Sequence, residues 1–148
     1  FIDAVQVIYN IFDQSPEDKL FPVCAQLDVG VIARVPFDEG SLTGMLTKDT
    51  RFDAGDWRAT YFVPENLAAT VDRVEQLKPL VPSRMSMAQM AMRFILANSN
   101  VHTIIPGMRK VRHVESNAAT SDGKTLAPTL LAELKAHRWD RVRTSWSQ

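Results

Sequence analysis

The residues of this chain best suited to chemistry lie in one stretch, Val101–Asn117, VHTIIPGMRKVRHVESN. Arg109, Lys110, Arg112 and His113 follow Pro106-Gly107 closely, and Val111, Val114 and Ala118 recur among and behind them at about one helical turn. Before the proline, every residue but His102 is apolar or β-branched, the composition of a strand buried on both faces of a parallel sheet. Strand, glycine turn and basic helix start together make an anion-binding geometry. Free backbone N–H groups and the positive end of the helix dipole attract phosphate, and an arginine fork can grip two of its oxygens. The same residues also fit a plainer description, a solvated basic helix start beside a left-handed turn, and taken alone they leave both open.

Outside this stretch the reactive residues are few. Arg34 closes the apolar run Val29–Val35, VGVIARV; it reads equally as a residue at the mouth of a barrel, where sites form, and as a solvated rim charge. Gln6 and Asn10 interrupt the β-rich run Phe1–Ile11, where each needs a partner and a core hydrogen bond is the ordinary use. Tyr9 and Tyr61 are the only tyrosines, and neither has a lysine spaced to lower its pKa. His102, on the last strand, reads as a core histidine. A single cysteine, Cys24, excludes a disulfide framework and a thiol–metal cluster.

Seventeen basic and seventeen acidic residues cancel, which argues against a general nucleic-acid binder. No apolar run reaches the roughly 18 residues of a membrane span, and no signal peptide opens the chain, so a cytoplasmic protein is expected. The first residue is Phe1 and already sits in a strand pattern, so the chain is expected to be part of a longer protein.

The elements that must position these residues alternate. After the first strand, Ser15-Pro16-Glu17-Asp18 opens a turn and a helix is expected from near Pro22, ending at Asp28-Val29-Gly30 with Gly30 in left-handed backbone. Residues 36–63 form a long loop whose Phe52, Trp57, Tyr61 and Phe62, with Arg51 and Arg58, suit an ordered flap rather than a linker. Helices follow at Pro64–Leu77 and from the capping box Ser86–Gln89 to Asn98, whose methionines serve as core filler. After the strand at Val101 and its helix, Pro128–Trp139 makes a last helix, and residues 126–148 form a C-terminal helix and tail. Strands separated by helices mean βαβ units and a parallel sheet. Three such strands have two bare edges, so the fold demands more strands than this sequence supplies.

Taken as a set, AVQVIYN, SPEDKLFPVCAQLDVGVIARVPF, EGSLTG, TRFDAGDWRATYF, MSMAQMAMRFILANSNVHTIIPG and VESNAA resemble strands six to eight of an aldo-keto reductase, and VIARVPF with HRWDR resembles a bacterial branch of that family. The resemblance implies an α/β fold: the C-terminal part of a (β/α)8 TIM barrel, with about three parallel strands and four to five helices in a single partial domain over residues 1–148. It also implies an NADPH-dependent oxidoreductase that reduces an aldehyde or ketone to an alcohol, this chain supplying the cofactor-binding half. By the family's pattern Gln6 contacts the nicotinamide carboxamide, and Arg34 stands where an aromatic ring usually stacks on the nicotinamide. Val35, Pro36, Phe37, Asp38 and Glu39 match the loop around the pyrophosphate, within a cofactor-covering loop over residues 36–63. Gly107, Met108 and Arg109 match the stretch around the adenosine 2′-phosphate, His113 takes a position commonly Gln or Arg, and Asn117 matches the residue that holds adenine. Met45 replaces a lysine common in the family, so Lys48, Arg51 or Arg58 would have to supply that phosphate contact. The family's catalytic Asp, Tyr, Lys and His match nothing here, so no catalytic residue and no metal ligand is assigned, and the chain alone is expected to be inactive. Its expected partners are a small carbonyl substrate and the N-terminal half of the barrel, with no nucleic acid and no membrane. Two alternatives stand beside this: an NADP(H)-binding regulatory subunit with little turnover, and an inert half-barrel that assembles, even with its own copies, through open strand edges.

Overall fold

The computed structural model describes residues 2–141; the expected strand position Phe1 and the tail 142–148, with Trp146, lie outside the described residues. Three parallel strands, β1 (Ala4–Ile8), β2 (Gly30–Arg34) and β3 (Thr103–Ile104), lie in that order, with Gln6 opposite Ile32, Ile8 opposite Arg34 and Ile32 opposite Thr103. The helices are α1 (Leu20–Gln26), the single turn α2 (Arg58–Tyr61), α3 (Pro64–Leu77), α4 (Met87–Leu96), α5 (Val111–Ala118) and α6 (Pro128–Lys135).

Strand pleating sorts the side chains onto two faces. Val5, Val7, Val31, Ala33 and Ile104 point into one core with Phe21 and Cys24 of α1, Val74 and Leu77 of α3, Met90, Phe94 and Ile95 of α4, and Leu134 of α6. The opposite face, carrying Ala4, Gln6, Ile8, Ile32, Arg34 and Thr103, has no buried residue among these. Strands expected to be buried on both faces are therefore covered on one. Helices α1, α3, α4 and α6 join the same core, and neither hydrophobic cluster of the described residues includes Ala4, Ile8 or Ile32 of the other face. Gln6 is exposed rather than a core residue, whereas Asn10 is fully buried.

Local corrections have local causes. The first strand stops at Ile8 because the Asn10 side chain bends the chain, its Oδ1 accepting the Phe12 and Asp13 N–H groups, each at 2.9 Å. Helix α1 begins at Leu20, before Pro22, since a proline in the first turn removes an N–H that has no intrahelical partner anyway. Asp28, not Gly30, takes the left-handed position after it (φ 53°). Gly30 instead lies in β2, where its N–H donates to Asp3 O at 2.9 Å and a Cβ would stand 3.4 Å from that oxygen. The capping box forms as expected, Ser86 Oγ accepting from Gln89 N at 3.1 Å and Gln89 Oε1 from Ser86 N at 2.9 Å, although α4 ends at Leu96. Met87, Met90 and Met92 are buried in the core region. The last helix stops at Lys135, and Trp139 continues into the core, its N–H donating to Phe12 O at 2.8 Å. His102 is exposed, not a core residue. It bridges β2 and β3, accepting the Val31 N–H on Nδ1 and returning its own N–H to Val31 O, each at 3.0 Å.

Candidate functional site

Because all three strands run parallel, the loops after β2 and β3 leave from one edge of the sheet, the edge where α/β proteins build sites. Gln6 and Arg34 lie on the open face as diagonal neighbours, Gln6 opposite Ile32 and Arg34 two residues further on. An amide that can donate and accept thus stands beside a guanidinium plane on a surface no helix covers.

The loop after β2 is held in uncommon backbone. Val35 (φ 55°), Asp38 (φ 46°), Glu39 (φ 57°) and Gly40 (φ 100°) all lie in the left-handed region. A β-branched residue there is a true outlier, costing on the order of 1–3 kcal/mol, and persists only where its surroundings impose it. Here Asn10 imposes it from below, Nδ2 donating to Val35 O at 3.0 Å, and Asp38 N donates to the same oxygen at 3.1 Å. Asp38 is 3% exposed, accepting from Ser41 Oγ at 2.6 Å and from Arg141 Nη2 at 2.7 Å. Burial, then the neighbouring Asp38 charge, holds the Glu39 carboxyl above its ordinary pKa, against the fields of Arg34, Arg58 and Arg141.

The turn after β3 differs from expectation in one respect. Gly107 is not in left-handed backbone, and nothing lies within 4 Å of where its Cβ would stand, so the space beside it is open. Asn117 Nδ2 reaches back to Gly107 O at 3.3 Å and closes the turn. No side chain caps α5, whose first residues follow directly on the exposed Met108, Arg109 and Lys110. Among the described residues Arg109, Lys110 and Arg112 form no ion pair, and His113 is half-buried. Val111 is 75% exposed, so the apolar side of α5 is not spent on the core.

Between these loops the 36–63 segment is ordered by its aromatics, Phe52 stacking on Phe62 at 5.5 Å and Phe62 meeting Tyr61 edge-on at 4.7 Å. Arg58 grips Asp56 with Nε and Nη2 and lies 5.0 Å over the Phe52 ring. These hydrogen bonds hold the Asp56 carboxyl below its ordinary pKa, and the charge of Arg109 adds to the effect. Met45 is exposed, and of the cations expected to replace a lysine there, Lys48 is paired with Asp72 at 2.6 Å and Arg58 with Asp56, leaving Arg51 exposed.

No proton donor emerges from the tyrosines. Burial and a hydrogen bond to Glu17 push Tyr9 up, and burial with the Asp38 charge pushes Tyr61 up, the reverse of an activated acid. No cluster of three metal-ligating side chains exists among the described residues, and no described helix is long and apolar enough to cross a membrane.

The aldo/keto reductase family model matches residues 2–138. The chain belongs to the aldo/keto reductase family. Among its curated relatives are the NADH-specific methylglyoxal reductase of Escherichia coli K12, 32% identical over 80% of this chain and 36% of that protein, and the NADP(+)-linked aldo-keto reductase yakc of Schizosaccharomyces pombe, 25% identical over 78% and 36%. The structure of a glycerol dehydrogenase from Gluconobacter oxydans superposes with a TM-score of 0.78 at 22% identity, over 96% of this chain and 45% of that one. The fold is thus a partial aldo-keto reductase barrel, and the chain spans less than half the length of these relatives.

The structure gathers the expected positions onto one edge: Gln6 and Arg34 on the open face, Val35–Glu39 above it, and Gly107–Asn117 on the neighbouring turn. Sequence reasoning read Asn10 as a core hydrogen-bonding residue without connecting it to the loop, and it missed the parts that Ser41, Tyr61 and Arg141 play there. A signal existed for two of these residues: Asn10 is a polar residue at the end of an apolar strand, and Arg141 belongs to the HRWDR motif.

Proposed function

We propose that this chain provides the nucleotide-binding half of an NADPH-dependent carbonyl reductase that converts an aldehyde or ketone to an alcohol. The observation that carries the proposal is the placing of a strained loop and an uncapped, unpaired basic helix start on the same edge of a parallel sheet, flanking an open face with Gln6 and Arg34. Those residues fit a dinucleotide. The Gln6 amide would orient a carboxamide through paired hydrogen bonds, and the Arg34 plane would stack on a ring. Val35–Glu39 would wrap the pyrophosphate, Gly107, Met108 and Arg109 would surround a 2′-phosphate that Arg109 grips, and Asn117 would hold the adenine. His113, on the first turn of α5, would add a donor toward the phosphates. When bound, the reduced nicotinamide supplies the hydride. The substrate's proton and the remaining pocket wall would come from the other half of the barrel. Relatives with NADH and with NADP(+) in their names both exist, and Arg109 favours NADPH, since a free ribose hydroxyl is usually met by an acid. The test is a fluorescence titration with NADPH against NADH: saturable binding that prefers NADPH is expected, and equal or absent binding in folded protein would overturn the reading.

A further inference from the structure

Arg141 and Asp38 form the one ion pair among the described residues with both side chains largely buried, 19% and 4% exposed, Nη2 to Oδ2 at 2.7 Å. Of the remaining guanidinium nitrogens, Nη1 is engaged, whereas Nε is buried without a hydrogen-bond partner. Nη1 donates to the Tyr61 hydroxyl, and the plane lies 4.3 Å over the Trp139 ring and 5.9 Å from those of Phe12 and Tyr61. Trp139 is itself fixed, edge-on to Phe12 at 6.0 Å, with Arg73 4.3 Å from its ring. Arg141 therefore rests chiefly on Trp139 of its own C-terminal segment, with Phe12 and, from the flap, Tyr61 beside it. What it holds is Asp38, the left-handed residue (φ 46°) at the centre of the strained turn, whose carboxylate also accepts from Ser41.

We propose that Arg141 is a positioning residue that clamps the Val35–Gly44 loop from the C-terminal segment, so that this segment sets the shape in which the loop meets the nucleotide phosphates. The importance for nucleotide binding rests on the function proposed above; the clamp itself does not. Three left-handed non-glycine residues at 35, 38 and 39 would relax toward ordinary backbone unless held. Asn10 holds the first and the Arg141 pair holds the second. Lysine could not replace this arginine, because a single ammonium cannot pair with Asp38, meet Tyr61 and stack on Trp139 together. Without Arg141 a buried carboxylate would stand beside Glu39 with no countercharge, which favours swinging Asp38 out to water and opening the turn.

The experiment is amide hydrogen exchange on the intact protein, following Asp38, Gly40, Leu42 and Gly44, whose N–H groups bond to Val35, Phe37, Phe37 and Ser41, with Met90–Leu96 of α4 as reference. Arg141→Met, Arg141→Lys and Asp38→Asn should each speed loop exchange at least about tenfold and leave α4 unchanged. Asn at 38 tolerates left-handed backbone, so its effect reads the lost charge pair rather than a lost conformation. The double variant Asp38→Asn with Arg141→Met should be no faster than either single one. Unchanged loop rates, additive effects, or equal acceleration in α4 would each overturn the clamp. NADPH added to the wild type should slow the loop further. Absence of that slowing would count against the nucleotide site, while the rates without nucleotide still decide the clamp.

Discussion

Replacing Asn10 with alanine should destabilise the protein far more than one small polar residue suggests. Asn10 is fully buried, and its amide makes three hydrogen bonds to backbone: to Phe12 N and Asp13 N at 2.9 Å and to Val35 O at 3.0 Å. Phe12 is 1% exposed, so its N–H would be left without a partner out of reach of water, whereas the half-buried Asp13 N–H could be hydrated and Val35 O would keep Asp38 N. Counting about 1–3 kcal/mol for the orphaned donor and about 1 kcal/mol for each of the two remaining bonds gives a loss of about 3–5 kcal/mol. With a urea slope of about 2 kcal/mol per molar for a chain of this size, the midpoint should fall by about 1.5–2.5 M by circular dichroism. Asn10→Asp refines the test. It keeps the acceptor but sets a carboxylate against the Val35 carbonyl, so it should be destabilised at neutral pH and recover in acid, when the protonated oxygen can donate to that carbonyl. A midpoint shift under about 0.5 M for Asn10→Ala, or no acid recovery for Asn10→Asp, would refute the view that this amide joins β1 to the strained loop.

Four further outcomes are expected. Arg109→Ala should weaken NADPH by about 10–100-fold in a binding titration and leave NADH nearly unchanged, as loss of a charge-assisted phosphate contact predicts. Gln6→Leu should alter stability by less than about 0.5 kcal/mol, since Gln6 is exposed on the open face, yet weaken nucleotide binding. Phe94→Ala, which removes a ring 2% exposed and stacked 6.0 Å from Tyr9, should cost about 3–5 kcal/mol in chemical denaturation. The two glutamates should show opposite pH signatures. Against the burial that raises it, hydrogen bonds from Lys135 and Tyr9 hold Glu17 below its ordinary 4.5, so its stabilisation is full above that value and lost as pH falls below it. Burial and Asp38 raise Glu39 above 4.5, so its stabilisation is present below that value and lost as pH rises through the raised one. At neutral pH, Glu17→Gln should therefore lower the thermal midpoint and Glu39→Gln raise it, both differences shrinking toward about pH 3.

The sequence by itself determined what is local or periodic. Alternating strands and helices made the parallel sheet legible, and the Ser86–Gln89 spacing defined a cap that forms as read, because both depend on residues close in the chain. The motif set determined the family, and through it which residues are proposed for a nucleotide site. Tertiary structure decided the rest. Whether a strand is covered on one face or two depends on how many layers the chain supplies, so Gln6 and His102, read as core residues, came out exposed. The left-handed turn at Val35 and Asp38 runs against the preference of a β-branched residue, and no local signal announces it. It exists because Asn10, 25 residues before Val35, and Arg141, 103 residues after Asp38, reach it through space.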